Sequence, residues 1–448
     1  MPNITADFAV NVAPMKIMHS MGNAPLGEST RLSDNLSNHK YFREAGIPYC
    51  RNHDASFCSA YDGEFVVDVH RIFRNFDADV NDPASYYFTP TDNYMAAVYS
   101  VGAKVFYRLG ASIEHRTKNG TYPPKDYKKW AQICEHIIRH YTEGWADGFF
   151  YDVEYWEIWN EAHATSGNNN KCCWQGTMEE FTEFFITAFT YLKEQFPHLK
   201  IGGPALAYNL EWAEEFLNQL TAPLDFFSFH GYNNNPAYFL QDGEHAYALL
   251  QEYGWENHTE LILNEWNYVR GWFGDDYIYS IHAIQDKKAL KSSSFIAGTM
   301  AAGQASRLNH MMYYDTQPTV WNGVFDSFFF TPLKGYYPFV MYGQMYRMGQ
   351  QIRSNTDDEH LFAVAAQGEG EAGIMMTYFD DNDDAPAKDV TVALENLPKA
   401  GMKCIEYYLI DEHNDMKLVR TDKTTAEALT TELRFDLYTT WYLKIRVL

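Results

Sequence analysis

Two short apolar segments each run into a glutamate that follows an asparagine: Trp156-Glu157-Ile158-Trp159-Asn160-Glu161 and Leu261-Ile262-Leu263-Asn264-Glu265-Trp266-Asn267. Roughly one hundred residues separate the two glutamates, a gap that suits two strand ends divided by a few strand–helix units. An ionisable side chain at the C-terminal end of a barrel strand projects into the mouth where enzymes of that architecture work. Two carboxyl groups facing one cavity are what cleavage of a glycosidic bond requires, one as proton donor and one as nucleophile or base. On this reading Glu161 protonates the departing oxygen, Glu265 attacks the anomeric carbon, and Asn160 hydrogen-bonds the sugar 2-hydroxyl. A lone Asn-Glu pair is common and means little. Two of them, each flanked by tryptophan and apolar residues, point to an enzyme.

Further polar residues close other candidate strands. Arg51-Asn52-His53-Asp54 ends one, and Phe229-His230-Gly231-Tyr232 ends another. Arg51 is expected to hold Glu265 ionised, since a neighbouring cation favours the charged form. His53, Asp54, Asn160, His230 and Tyr232 are the expected sugar contacts, with His230 and Tyr232 also able to orient the carboxylates. Trp321 is placed to stack on a sugar, and Tyr314 supports the site from the last strand. A structural role is the competing account of any one of these histidines. Their repeated position at strand ends favours the functional account. Two rivals use the same residues. In a metal-dependent sugar isomerase or lyase, His53, Asp54, Glu161, His230, Glu265 and Asp315 would ring a divalent cation. In a non-catalytic carbohydrate-binding barrel, the pocket would be kept and the chemistry lost.

The elements that must position these groups alternate as a (β/α)8 barrel should. Candidate strands are Ile17–Ser20, Tyr49–Asn52, Lys104–Leu109, Tyr155–Trp159, Lys200–Gly203, Phe226–His230, Leu261–Asn264 and Met311–Asp315, which is the number that closes such a barrel. Helices over Lys125–Tyr141, Met178–Phe196 and Pro332–Met348 carry apolar stripes that read as core. The connection Asp54–Asp92 is long and rich in aromatic and aspartate residues. It reads either as an active-site wall or as a brace over the barrel top. Beyond the helix Pro332–Met348 the character changes. His360–Ala366, Gly373–Phe379, Asp389–Leu394, Lys403–Leu409, Met416–Arg420 and Thr440–Val447 read as strands between turns. The expected fold is therefore an α/β TIM barrel over residues 14–350 with a smaller antiparallel β-sandwich over 351–448, to which residues 1–13 add a strand.

Composition narrows the partners. The formal net charge of −24 argues against nucleic acid, whose phosphates need a basic surface. No apolar run is long enough to span a membrane. The first residues lack a basic stretch followed by an apolar one, so a cytoplasmic location is expected. The six cysteines show no metal-binding spacing, and they are expected to be thiols rather than a vicinal Cys172-Cys173 bridge. No cofactor is called for, and the expected partner is an oligosaccharide or glycoside. Self-association into a homo-oligomer is compatible with the sequence but not specified by it.

Several segments, in order, resemble glycoside hydrolase family 39. They are Pro123-Pro124-Lys125-Asp126-Tyr127 with Lys129-Trp130, Glu157-Ile158-Trp159-Asn160-Glu161, and Gly202-Gly203-Pro204-Ala205. Leu224-Asp225-Phe226 with Ser228 and His230, then Asn264-Glu265-Trp266-Asn267, continue the match, which runs from about Tyr49 to Gln350. The resemblance implies a barrel accompanied by a β-sandwich, net retention of configuration, no cofactor, an acid/base on Glu161 and a nucleophile on Glu265. Family activities include β-xylosidase, α-L-iduronidase and hydrolysis of arabinose- or galactose-containing glycans. Iduronate would need cations around its carboxylate, and no spare basic cluster lies near these strand ends. An exo-acting hydrolase of a neutral terminal sugar, xylose or arabinose, is the expectation, with a galactose- or arabinogalactan-type glycan as its variant. Two segments depart from the family's xylosidases: Tyr313-Tyr314-Asp315-Thr316-Gln317 stands where a Trp and acidic residues belong, and the stretch after His53 is unlike theirs.

Overall fold

The computed structural model describes residues 2–26, 37–53, 67–111, 120–163, 173–207, 210–270, 282, 284–317, 321–397 and 401–448. Eight parallel strands close into a barrel: β2 (Ile17–Gly22), β3 (Tyr49–Asn52), β4 (Lys104–Leu109), β5 (Tyr155–Ile158), β6 (Lys200–Ala207), β7 (Phe226–Asn233), β8 (Glu260–Tyr268) and β9 (His310–Tyr313). The strand β1 (Asn3–Pro14) leaves this barrel to the other sheet. Helices fill the outer ring where the sequence predicts them. Helix Met178–Gln195 starts at Thr177, whose hydroxyl accepts the Glu180 N–H while the Glu180 carboxylate takes the Thr177 N–H. This reciprocal capping satisfies two of the donors that every helix start leaves open. Helix Tyr127–Thr142 begins on Asp126 in the simpler form of the same device.

Inside the barrel the period of two sorts side chains into layers. Ile17, Tyr49, Phe106, Tyr155, Phe226, Ile262 and Met312 pack together as an apolar floor. At β6 the corresponding space is taken by the Phe226 ring: a Cβ on Gly202 would lie 2.8 Å from it. Two residues further along their strands come Arg51, Arg108, Glu157, Ser228 and Asn264, all fully buried. The mouth lies above this polar layer.

Strand β8 differs from its expected form. Pairing was predicted to stop at Asn264, but the ladder runs on to Tyr268 through a bulge: Phe229 pairs with Leu263, and His230 with Glu265, leaving Asn264 as the extra residue. A bulge lets two consecutive side chains point the same way. Asn264 and Glu265 consequently both bond inside the barrel, to Glu157 and Arg51 respectively. The described part of the long aromatic connection packs inward: Tyr86 and Phe88 are buried and stack on each other and against Trp145. Residues 54–66, with Asp54 and Cys58 among them, lie outside the described residues, as does Cys172.

The second sheet comprises β1, β10 (Gln350–Thr356), β11 (Leu361–Gln367), β12 (Glu371–Tyr378), β13 (Lys388–Glu395), β14 (Lys403–Ile410), β15 (Lys417–Thr424), β16 (Leu429–Phe435) and β17 (Thr440–Val447). Its order is β15-β14-β17-β12-β11-β10-β1-β13-β16, antiparallel except where β1 meets β13. It curls so that residues from β1, β12, β13, β14, β16 and β17 share one core. Strands β10 and β16 were not anticipated. Gln350–Thr356 buries only Ile352, and Leu429–Phe435 places Thr431 where an apolar residue would have shown the alternation. Cys50, Cys134 and Cys404 are buried free thiols. No helix among the described residues is long and apolar enough to cross a membrane.

Two buried histidines on barrel strands carry a pH liability, His310 against the apolar floor and His19 against the outer helix Tyr337–Met348. Burial pushes His19 and His310 down from 6.5 to about 3. The unfolded chain therefore binds protons that the native state refuses, and stability falls as pH drops from 6.5 toward 3. The cost is about 2 kcal/mol per histidine near pH 5. Thermal unfolding followed from pH 7.5 to 5 is expected to show a falling midpoint, and His310→Gln, which keeps a partner for Ser20, is expected to flatten part of that slope. An unchanged slope in the variant would contradict this origin.

Candidate active site

Arg51 lies at the centre of the polar layer. It is fully buried, and its guanidinium donates to Glu157 Oε2 (2.8 Å), Glu265 Oε1 (2.7 Å) and Asn160 Oδ1 (2.6 Å). A planar fork with fixed donors suits this task better than a point charge would. Glu157 in turn accepts from Ser228 Oγ and Asn264 Nδ2. One strand step links each pair of layers: Glu157 lies below, Glu265 above, and the same cation spans both.

Glu265 is 2 % exposed. Its Oε1 meets Arg51 and, at 3.0 Å, His53 Nε2; its Oε2 accepts the Tyr232 hydroxyl at 2.7 Å. Burial alone would raise the carboxyl, but His230, His53 and Arg51 outweigh it and hold the group well below the usual carboxylate range. His53 is itself pushed down by burial, against the opposing pull of Glu265.

Glu161 sits three residues past the end of β5, on a turn in which Trp159 (φ 72°) and Glu161 (φ 47°) both take left-handed backbone. That conformation costs of order 1–2 kcal/mol per non-glycine residue. It is held by Trp159 N–H on Leu109 O (2.7 Å), Glu161 N–H on Ala205 O (3.0 Å) and the Trp159 indole on Cys173 O (2.9 Å). The turn delivers the Glu161 carboxyl to His230 Nδ1 at 2.6 Å, and the same nitrogen lies 3.4 Å from Glu265 Oε2. One oxygen from each carboxyl group and one His230 nitrogen all fall within 4.8 Å of one another. Asn160 Nδ2 is buried and finds no acceptor among the described residues, while its Oδ1 is held by Arg51.

An aromatic wall closes one side. Tyr232, Val269 and Tyr314 cluster with Trp321, whose ring lies 5.2 Å from Tyr232 and 6.3 Å from Tyr314. Tyr314 also meets the His53 ring edge-on at 5.1 Å. Asn267 anchors this wall by donating to Tyr314 O (2.6 Å) and Trp321 O (2.7 Å). Behind it the buried Lys287 places its ammonium 4.4 Å from the centre of the Trp321 ring, and burial brings that ammonium down to about 8.

Arg51, His53, Asn160, Glu161, His230, Tyr232, Glu265, Tyr314 and Trp321 thus gather around one cavity mouth, while Asp54 lies outside the described residues. Reading the strand ends overlooked Glu157, Ser228, Asn267 and Lys287. Glu157 had a visible signal: it is an acid between Trp156 and Ile158, inside a strand that should be buried. Of the suggested metal ligands, Glu161, His230 and Glu265 meet within 4.8 Å, His53 touches Glu265, and Asp315 accepts from Asn23, which also takes the His53 N–H; Asp54 lies outside the described residues.

Comparison with known proteins agrees with this layout. Residues 28–252, half of the chain, match the glycosyl hydrolases family 39 profile, a span that includes Glu161 and His230 and stops short of Glu265. A beta-xylosidase from Caldicellulosiruptor saccharolyticus is 29% identical over 209 residues, covering 44% of this chain and 38% of that protein. One from Geobacillus stearothermophilus is 26% identical over 179 residues, 36% of this chain and 34% of its own length. The alignments therefore span little more than a third of either relative. Among solved structures, a glucosidase from Croceicoccus marinus superposes with a TM-score of 0.80 at 20% identity over 100% of this chain and 99% of that one. A monomeric beta-xylosidase from Caulobacter crescentus CB15 gives 0.71 at 16%, covering 100% of both. A GH39 enzyme from Xanthomonas axonopodis pv. citri gives 0.72 at 15%, covering 100% and 97%. These likenesses establish the fold, and the profile match establishes that the chain belongs to glycosyl hydrolase family 39.

Proposed function

We propose that the protein is a retaining glycoside hydrolase that removes a neutral terminal sugar, xylose or arabinose, from oligosaccharides. The observation that carries this reading is the meeting of Glu161 and Glu265 at a single His230 nitrogen, with carboxyl oxygens within 4.8 Å. Retaining enzymes keep their carboxyl groups about 5–5.5 Å apart, whereas inverting ones leave about 6.5–9.5 Å for a water between them. Glu265 is the nucleophile: it is the carboxylate held ionised, and Arg51, His53 and Tyr232 fix its oxygens. Glu161 gives its proton to the leaving oxygen, then draws the proton from the water that releases the sugar. Its greater exposure, 16 % of the side chain against 3 % for Glu265, suits a group that must meet leaving group and water in turn.

Asn160 supplies the remaining contact. A buried donor without a partner is costly, and a sugar 2-hydroxyl would satisfy it, with strengthening in the transition state. Trp321, packed with Tyr232 and Tyr314, offers a ring to the apolar side of the sugar. The curated relatives named beta-xylosidase support xylose as the first sugar to test.

Glu265→Gln is expected to lose turnover of nitrophenyl β-xyloside by about 10⁴-fold or more, with an unchanged fold by circular dichroism. Glu161→Gln is expected to retain much more activity on nitrophenyl than on alkyl or sugar leaving groups, because a good leaving group needs no proton. NMR of the first product should show the anomeric configuration of the substrate. Inverted product, or full activity in Glu265→Gln, would remove the assignment. Because the folded-state carboxyl of Glu265 is held low, activity is lost as pH falls through that depressed value. Tyr232→Phe removes one donor to the carboxylate, so the acid limb of kcat/KM should move to higher pH, with a loss of about tenfold to a hundredfold at neutrality. An acid limb that stays in place would show that Tyr232 does not act through Glu265.

A further inference from the structure

The loop from β12 to β13 reaches across from the second sheet to the barrel. Asp381 on this loop takes the Asn234 amide on Oδ2 (2.7 Å) and the Tyr268 hydroxyl on Oδ1 (2.6 Å). Two cations neutralise it: Lys291 Nζ lies 2.9 Å from Oδ1, and Arg270 donates to the same oxygen and to the Asp381 carbonyl, both at 3.2 Å. The location is what matters. Asn234 directly follows β7, and Tyr268 is the last residue of β8. In the ladder Asn233 pairs with Tyr268, Tyr232 with Asn267 and His230 with Glu265. A single carboxylate therefore ties together the two strand ends that carry His230, Tyr232 and Glu265. These ends also lie just past the bulge at Asn264, where regular pairing does less to fix direction.

Asp383, two residues on, provides an internal comparison. It meets the same cations, Arg270 at 3.1 Å and Lys291 at 2.9 Å, but its other partner is Tyr438 of the second sheet. Asp383 thus joins the two parts of the molecule without touching Asn234 or Tyr268.

We propose that Asp381 is a positioning residue for hydrolysis, so that the second sheet completes the active site by fixing the ends of β7 and β8 rather than serving as a separate sugar-binding module. This rests on the reading of Glu161 and Glu265 given above. A displacement of about 1 Å at the reacting groups costs up to about a hundredfold in rate, whereas binding of the sugar ring by Asn160, which Arg51 holds from β3, is little affected.

The test compares Asp381→Ala with Asp383→Ala in the full chain. Asp381→Ala is expected to lower kcat on nitrophenyl β-xyloside by about thirtyfold or more with KM within about threefold. Asp383→Ala is expected to keep kcat within about twofold despite a comparable fall in melting temperature. Hydrogen exchange, which needs no turnover, should show peptides covering 226–234 and 260–268 exchanging faster in Asp381→Ala only. Should Asp381→Ala fail to fold, Tyr268→Phe keeps the ring packed on Phe295 and Phe379 while removing the hydroxyl, and should lower kcat in the same pattern by about fivefold. Equal kcat and equal exchange in the two aspartate variants would overturn the proposal. A wild-type chain inactive on every glycoside would instead count against the hydrolase reading, and the exchange comparison would still decide whether Asp381 holds the strand ends.

Discussion

One buried guanidinium sets the geometry of this site. Arg51 has two carboxylates and an amide to satisfy, all out of reach of bulk water. A cluster of one cation and two anions is expensive to bury, and it persists only if the remaining lone pairs find donors. Ser228 and Asn264 supply them to Glu157, and Tyr232 supplies one to Glu265. These donors come from β7 and β8 and the guanidinium from β3, so closing the polar layer also fixes how the strands stagger at the mouth. Loss of Arg51 would leave two buried carboxylates without their shared counter-charge, at a cost of about 3–5 kcal/mol. The charge on the proposed nucleophile and the alignment of the barrel therefore depend on the same contacts.

Much of this was legible in the sequence. Periodicity located all eight barrel strands, and the two Asn-Glu pairs marked the carboxylates, because strand direction and alternation leave few places for an acid beside tryptophan. The bulge was not legible. Nothing in Leu263-Asn264-Glu265 says that the ladder skips a residue, and without that skip Glu265 would point away from Glu161. The inner half of the ion cluster was equally hidden. Glu157 was read as part of a motif when its position in β5 puts it below the mouth, where it serves Arg51. Propensity is weakest where hydrogen bonds between distant segments decide the outcome, as they do at Asn264 and at the polar strand Gln350–Thr356.

The departures from the family's xylosidases at the last strand have a structural counterpart. Tyr313 turns its hydroxyl toward the Gly323 N–H and the Trp321 carbonyl, and Tyr314 packs on His53. This segment shapes the wall beside Glu265 without entering the ion cluster. A change of pocket lining at that strand can therefore alter which sugar fits while leaving the two carboxylates where they are. Fold and reacting groups on one hand, and sugar choice on the other, rest on different residues.

The central claim is that Glu265, ionised and fixed by Arg51, forms a covalent bond to the sugar. A 2-deoxy-2-fluoro-xylosyl fluoride slows breakdown of such an intermediate enough for peptide mass spectrometry to find it. The account predicts one sugar adduct per chain, on the peptide carrying Glu265, with loss of activity that recovers as the adduct hydrolyses. An adduct on Glu161, or inactivation without any sugar attached to Glu265, would contradict it.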